Sequence, residues 1–213
     1  LRTPEGKEVT REGRFVEPVQ LQVVCLRLWD KIVGGEKRSI SPDDVDQAEI
    51  EQALSDYVDA ALKKAAQAAP MSEKVLRDWI EDNLITSTGI RAQALREPLV
   101  LGKVDGAIAA LIDTRLIRSD KRNDREWIEL AHDRLVGPLR AANKTWRSRN
   151  LKPFQRQAEL YAKTGQTHKE MLFWGEELIE AERFAAAHPD ELNDEERKFL
   201  KDSREERDRL AKE

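Results

Sequence analysis

The sequence predicts a mainly α-helical chain: a small helical lid unit, a winged-helix domain carrying a β-hairpin, and a C-terminal helical extension. Three observations predict it. Apolar residues recur at helical spacing through most of the chain. One stretch, Leu116 to Leu130, reads instead as two extended runs about a polar turn. Charged residues make up 37% of the 213 residues and aromatics 6%, a balance that suits solvated helices more than a large sheet. The expected units are residues 1–70, 71–149 and 150–213.

Residues Leu1 to Phe15 mix glycine, threonine and charge without periodicity and read as a loop or short extended pieces. Pro18 then suits a first helical turn, where its missing N–H costs nothing. Leu21, Val24, Cys25 and Leu28 follow at helical spacing, so that face is expected inside. Gly34-Gly35 stops the helix. Ser41-Pro42 marks a turn. A second helix is expected from about Asp46, with Leu54, Tyr57, Val58, Ala61 and Leu62 in one stripe, until Pro70 ends it.

Ser72 is placed to cap a third helix with Val75, Leu76, Trp79, Ile80 and Leu84 inward. Thr86 to Arg91 reads as an extended crossing, and Arg96 to Lys103 as a short helix. A further helix is expected over Val104 to Ile117, with Ile108, Leu111, Ile112 and Leu116 inward. The runs Leu116 to Ser119 and Arg125 to Leu130 flank Asp120–Asp124 as a hairpin. Helix, extended piece, helix, helix, hairpin is the order of a winged helix.

A closing helix runs from His132 to about Trp146, and Asn150 to Pro153 is a boundary. Phe154 to Lys163 is one helix. Met171, Leu172, Trp174, Leu178, Ile179, Ala181 and Phe184 suggest another, to about His188. Asn193 with Glu196 resembles a capping box opening a last helix, which is too polar beyond Ser203 to bury a face.

The stretch Trp127-Ile-Glu-Leu-Ala-His-Asp-Arg-Leu-Val136 passes directly from strand to helix. His132 and Asp133 fall at that junction, where unpaired backbone N–H groups suit an anion such as phosphate. Capping of the helix is the other use of polar residues there.

Taken together, Glu17 to Cys25, Trp29, Ala53-Leu54, Tyr57, Leu76-Arg-Asp-Trp79, Gly89-Ile-Arg91, Trp127, Glu129 to Val136 and Asn143-Lys-Thr-Trp146 carry a resemblance. The chain resembles the region downstream of the nucleotide-binding core in bacterial STAND NTPases, signalling ATPases related to NACHT and NB-ARC proteins. The resemblance covers about Phe15 to Trp146. It implies that the Pro18 helix opens the lid, where the family's proline packs near the adenine. Phe15-Val-Glu-Pro18 lacks the glycine of the family's Gly-x-Pro. Ala131-His-Asp133 matches the family's Met-His-Asp, with alanine in place of methionine. In that family the histidine reaches the ADP phosphates in the resting protein. His132 and Asp133 are therefore the implied nucleotide-sensing residues. Asp133 orients the loop or helix start, and Pro18 is the adenine-side contact.

The implied function is regulatory and non-catalytic: the winged helix senses bound nucleotide, holds a resting state, and couples nucleotide to oligomerisation or effector activation. Partners implied are the parent protein's own ATPase core and C-terminal sensor region, with a homo-oligomer of the whole. ATP or ADP with magnesium belongs to that parent, and no cofactor is expected in this chain. Histidine suits the role, since it donates hydrogen bonds to phosphate and changes charge near neutral pH.

No G-x-x-x-x-G-K-[ST] loop occurs: Gly6-Lys7 is followed by Glu8 and Gly102-Lys103 by Val104. No catalysis is therefore expected of this chain. The chain opens at Leu1 without a signal pattern, and a fragment of a longer protein is expected. Cys25 is the only cysteine, which suits a reducing cytoplasm and a core position. No run approaches the ~20 apolar residues of a membrane span.

The alternative reading is a winged-helix DNA-binding transcription regulator. The helix Val104 to Ile117 would then enter the groove, but its cations are only Arg115 and the adjoining Arg118. Net charge is -4, so nucleic acid is not the favoured partner. A basic run does exist, comprising Arg134, Arg140, Lys144, Arg147, Arg149, Lys152 and Arg156. Its expected use is a solvated face pairing with the acidic C-terminal helices.

Overall fold

A computed structural model describes residues 18–35, 38–41, 47–96 and 105–212. The protein is mainly helical with one small antiparallel sheet. Its helices are α1 (Pro18–Val33), α2 (Gln47–Gln67), α3 (Glu73–Leu84), α4 (Asp105–Asp113), α5 (Val136–Asn150), α6 (Pro153–Lys163), α7 (Gly175–Ala187) and α8 (Asp194–Leu210). Three strands, β1 (Gln93–Leu95), β2 (Ile117–Arg122) and β3 (Arg125–Leu130), pair in the order β1-β3-β2. Helix, helix, strand, helix, hairpin from α2 to β3 is winged-helix order.

The first core joins α2 to that winged helix. Leu54, Val58 and Leu62 of α2 share one apolar cluster with Leu76, Ile80 and Leu84 of α3, Ile108 and Leu111 of α4, Ile128 and Leu130 of β3, and Leu139 of α5. The core therefore draws on residues before and after Pro70. Helices α2 and α4 approach so closely that a Cβ on Gly106 would lie 2.8 Å from the carbonyl oxygen of Ala68. Tyr57 is half-buried, and its hydroxyl donates to the carbonyl of Thr114 at 2.5 Å. That bond pins the turn after α4.

The N-terminal helix differs from its expected facing. Val23 and Leu28 are buried, whereas Leu21 is half exposed and Cys25 is exposed. Apolar residues surround most of α1, so periodicity cannot select the edge that α2 covers. The third helix is capped as expected, Ser72 Oγ accepting from the Val75 N–H. The short helix expected over Arg96 to Lys103 lies outside the described residues, apart from Arg96 itself. The extended crossing expected at Thr86–Arg91 is a turn closed by an Ile85–Arg91 bridge, and the strand follows at Gln93.

Helix α4 ends at Asp113, four residues short of the expected Ile117. Arg115 adopts φ 59°, and Ile117 already pairs with Leu130. The hairpin turn is two residues, Asn123 and Asp124, with φ 48° and 60°. Both are left-handed, as a type I′ turn requires, so Asp120 to Arg122 join β2 and not the turn. This charged, exposed edge strand discourages edge-to-edge pairing.

The second core lies among α6, α7 and α8, where Phe154, Ala158, Tyr161, Leu178, Ala181, Phe199 and Leu200 are buried. Phe199 meets Tyr161 and Phe173 edge-on, at 5.7 and 5.3 Å between centroids. The capping box of α8 is formed: Asn193 Oδ1 accepts from the Glu196 N–H at 2.8 Å, and Glu196 Oε2 from the Asn193 N–H at 3.1 Å. Trp174 and Ile179, expected inside, are 74% and 54% exposed. Helix α7 begins only at Gly175, so Trp174 precedes its first turn and Ile179 falls on its outer side.

A charged side chain is buried among these helices. Arg77 of α3 is fully buried. It pairs with Asp59 of α2 and, at 2.5 Å, with Glu73. It donates to Asn143 Oδ1 of α5 at 3.1 Å and lies 5.2 Å over the Trp146 ring. Removing one partner of a buried pair strands the others. Asp59 and Glu73 are partly solvated, so Arg77→Met should cost about 3 kcal/mol, the low end for broken buried pairs. Chemical denaturation of the full chain checks this, and an unchanged midpoint would remove Arg77 from the fold's determinants.

Candidate functional site

His132 and Asp133 lie where β3 gives way to a one-turn 3-10 helix, Asp133–Leu135, which leads into α5. The His132 backbone is extended, at φ -149° and ψ 146°. Its ring turns onto the chain ahead, and Nδ1 accepts the Arg134 N–H at 3.2 Å. The Leu135 N–H is taken by the His132 carbonyl at 3.1 Å. Two N–H groups of the expected anion site are thus satisfied within the junction itself. What remains chemically is the imidazole. A neutral ring accepting at Nδ1 carries its proton on Nε2, so Nε2 is the donor edge of half-buried His132.

Asp133 is tied by Arg91, whose Nε stands 2.7 Å from Asp133 Oδ1. Arg91 Nη1 also donates to the Leu130 carbonyl at 3.0 Å. One guanidinium therefore holds both the last residue of β3 and the residue after His132, while neutralising the Asp133 carboxylate. Arg91 belongs to the turn that follows α3. That turn is also held to α5, where Arg140 Nη2 donates to the Thr86 carbonyl at 3.3 Å.

Beneath the junction a polar row crosses the sheet. Gln93, Glu129 and Arg118 stand opposite one another on β1, β3 and β2. Glu129 is buried at 5% exposure. It accepts from Gln93 Nε2 at 2.9 Å and Arg118 Nε at 2.6 Å, with Arg91 Nε 3.8 Å away. Burial pushes the Glu129 carboxyl up, but those hydrogen bonds and the charges of Arg91 and Arg118 outweigh it and hold it below its usual range. Arg91 and Glu129 were quoted in the sequence pattern without a role. The hairpin register, which needs the two-residue turn to be read, sets only Arg118 opposite Glu129, whereas Arg91 comes near Glu129 through the pairing of β1 with β3.

Pro18 opens α1, and its side chain lies outside the described residues. His168 and His188 sit apart from His132, in the C-terminal unit, beside Glu170 and Glu191. Among the described residues no group of three His, Cys, Asp or Glu could hold a metal ion. Nor is any helix among them long and apolar enough to cross a membrane.

The basic run is largely committed. Arg147 meets Asp78 at 2.8 Å and Glu81 at 3.1 Å, both on α3, and Glu159 of α6 at 3.9 Å. Its main partners are thus on α3 and not in the C-terminal helices. Arg156 donates to the Ser148 carbonyl. Among the described residues, helix α4 exposes Asp105, Gly106, Ala109 and Asp113, with Asp105 paired to Arg96 and no cation on the helix itself to meet DNA phosphates.

The sequence matches no family model, no curated protein and no solved structure.

Because its folded pKa is depressed, Glu129 contributes stability that is present above about pH 4.3, the ordinary glutamate value. That contribution is lost as pH falls through the lower folded value. Glu129→Gln should cost about 1–3 kcal/mol at pH 7 and flatten the acid limb of a stability–pH curve. A parallel limb in variant and parent would mean that Glu129 does not link folding to pH.

Proposed function

We propose that this chain is the regulatory, non-catalytic region of a STAND-type signalling ATPase. Its winged helix senses the nucleotide held by the parent protein's ATPase core. It keeps the parent in a resting state, and it couples nucleotide exchange to oligomerisation or effector activation. The observation that carries this reading is the strand-to-helix junction at His132: its Nδ1 accepts the Arg134 N–H, so a neutral ring would carry its proton on Nε2. A donor fixed by its other nitrogen is suited to a phosphate oxygen. Asp133 supports it by gripping Arg91, which holds the junction's shape without adding free negative charge.

The other parts of the reading follow from this role. ATP or ADP with magnesium would be bound by the parent's core, which supplies the phosphate-cradling loop. Pro18 would lie on the adenine side. The partners would be that core, a C-terminal sensor region and further copies of the parent, in the cytoplasm. The winged-helix DNA reading draws less support, because the acidic exposed side of α4 offers nothing to a phosphate backbone.

Alone, the chain should show no micromolar binding of ADP in calorimetry, since no glycine-rich loop cradles the phosphates. Micromolar binding would overturn the assignment of the phosphate site to another part of the parent.

Two substitutions separate sensing from capping. His132→Asn keeps a short acceptor for the Arg134 N–H and removes Nε2, whereas His132→Leu removes both. One phosphate hydrogen bond is worth about 0.5–3 kcal/mol net. Both variants should therefore speed ADP release from the intact parent by roughly twofold to over a hundredfold. Only His132→Leu should lower the melting temperature. Parent-like ADP release in both variants would leave His132 as a cap and end the sensor reading.

A further inference from the structure

The two apolar cores share no residue. The chain passes between them over Leu151 and Lys152 alone, the two residues separating α5 from α6. Where α3 faces the start of α8, the contact is ionic. Lys74 Nζ stands 3.1 Å from Glu196 Oε1 and 2.9 Å from Asp78 Oδ2, and donates to the Glu191 carbonyl at 3.1 Å. The Lys74 and Glu196 side chains are 6% and 1% exposed.

We propose that this contact is a latch: the α6–α8 unit docks on the winged helix through Lys74 and Glu196, and leaves it as a body when the pair opens. This goes beyond the nucleotide-sensing reading and does not rest on it.

Three observations carry the proposal. First, the latch carboxylate serves two structures with separate oxygens. Oε1 meets Lys74, while Oε2 accepts the Asn193 N–H within the α8 cap. Opening the pair leaves that cap intact, so α8 stays folded while undocked. Second, the seam beside the pair is not filled by apolar side chains. It is a cleft of about 650 Å³ lined by more carboxylates, among them Asp78, Asp82 and Asp194, than cations, which are Arg147 and Lys163. Its carboxylates repel one another. Asp82 shows this, its carboxyl being raised by burial and by the charges of Asp78 and Glu81. Third, a buried ion pair is a poor source of net stability but a strict condition on geometry. Its desolvation cost is offset only while both partners are in place. An apolar joint yields gradually as area is exposed, whereas this one turns on a few polar contacts, Lys74 with Glu196 and the Glu191 carbonyl beside the longer Arg147–Glu159 pair.

Charge also explains why the latch holds at rest. Burial lowers the Lys74 ammonium, but Asp78 and Glu196 outweigh it and keep the group protonated. Lys74 therefore adds a cation beside the acid-rich seam that Arg147 and Lys163 also line, and Glu196 is the half of the pair that belongs to the moving unit.

The test uses the full chain with Cys25→Ser, Ser119→Cys on β2 and Lys201→Cys on α8, both exposed positions, spin-labelled for distance measurement. Two variants open the latch: Glu196→Gln, which preserves the capping box, and Lys74→Met. With the latch in place the inter-unit distance should be single and narrow. Each opening variant should add a longer, broad distance population, raising the open-to-closed ratio about tenfold or more, with helical circular dichroism unchanged. An unchanged distance distribution in both variants overturns the latch. So does broadening accompanied by loss of helical signal, which would mean that the pair sustains the fold of α8 and not its docking.

Discussion

The arrangement of helices depends on the buried guanidinium of Arg77. Apolar contact among α2, α3 and α5 brings these helices together without prescribing their register, because hydrophobic attraction has no direction. The planar fork of Arg77 does prescribe it. Asp59 of α2, Glu73 of α3 and Asn143 of α5 must each meet it from a defined side. Asn143 in turn donates to Glu81, Glu81 pairs with Arg147, and Arg147 with Asp78. Asp78 holds Lys74, which reaches Glu196. One polar spine thus runs from inside the first core to the rim of the second.

That spine makes α3 the element on which both proposals meet. Its twelve residues span about 18 Å at 1.5 Å per residue. Lys74 stands in its first turn, toward the C-terminal unit. The turn after its last residue carries Arg91, which holds Asp133 and the end of β3. A helix with its middle anchored by Arg77 transmits a displacement at one end to the other. Under the proposed function, the position of the C-terminal unit and the grip of the winged helix on nucleotide would be linked through this rod.

Charge distribution, and not net charge, decides which surfaces are usable. Two cations of α5 that looked available in sequence are spent, Arg147 on the acids of α3 and Arg140 on the Thr86 carbonyl. The exposed side of α4, where a DNA-reading winged helix needs positive groups, carries Asp105 and Asp113. At the end of β3, His132 Nδ1 accepts the Arg134 N–H, which ties the ring to the junction.

Much of the architecture was legible from residues alone. Sequence pattern located all eight described helices and a hairpin, Ser72 and the Asn193–Glu196 box announced their caps, and the junction at His132 was visible as a strand running into a helix. These features are set by local backbone and side-chain chemistry, which neighbours in sequence determine. What only the tertiary structure decided depends on partners distant in the chain. Periodicity could not select which edge of α1 is buried, because apolar residues surround that helix. It could not foresee Arg77 and Lys74 inside, because a charged residue on a helix reads as solvated until its counter-ions are placed 18 or 122 residues away. The role of Arg91 waited on the pairing of β1 with β3, and the length of β2 on left-handed backbone at Asn123 and Asp124. Sequence determines that these elements form and how several of them are capped; long-range packing and charge pairing decide which edges are covered and how the elements are held, because their partners are specified only once the chain has folded.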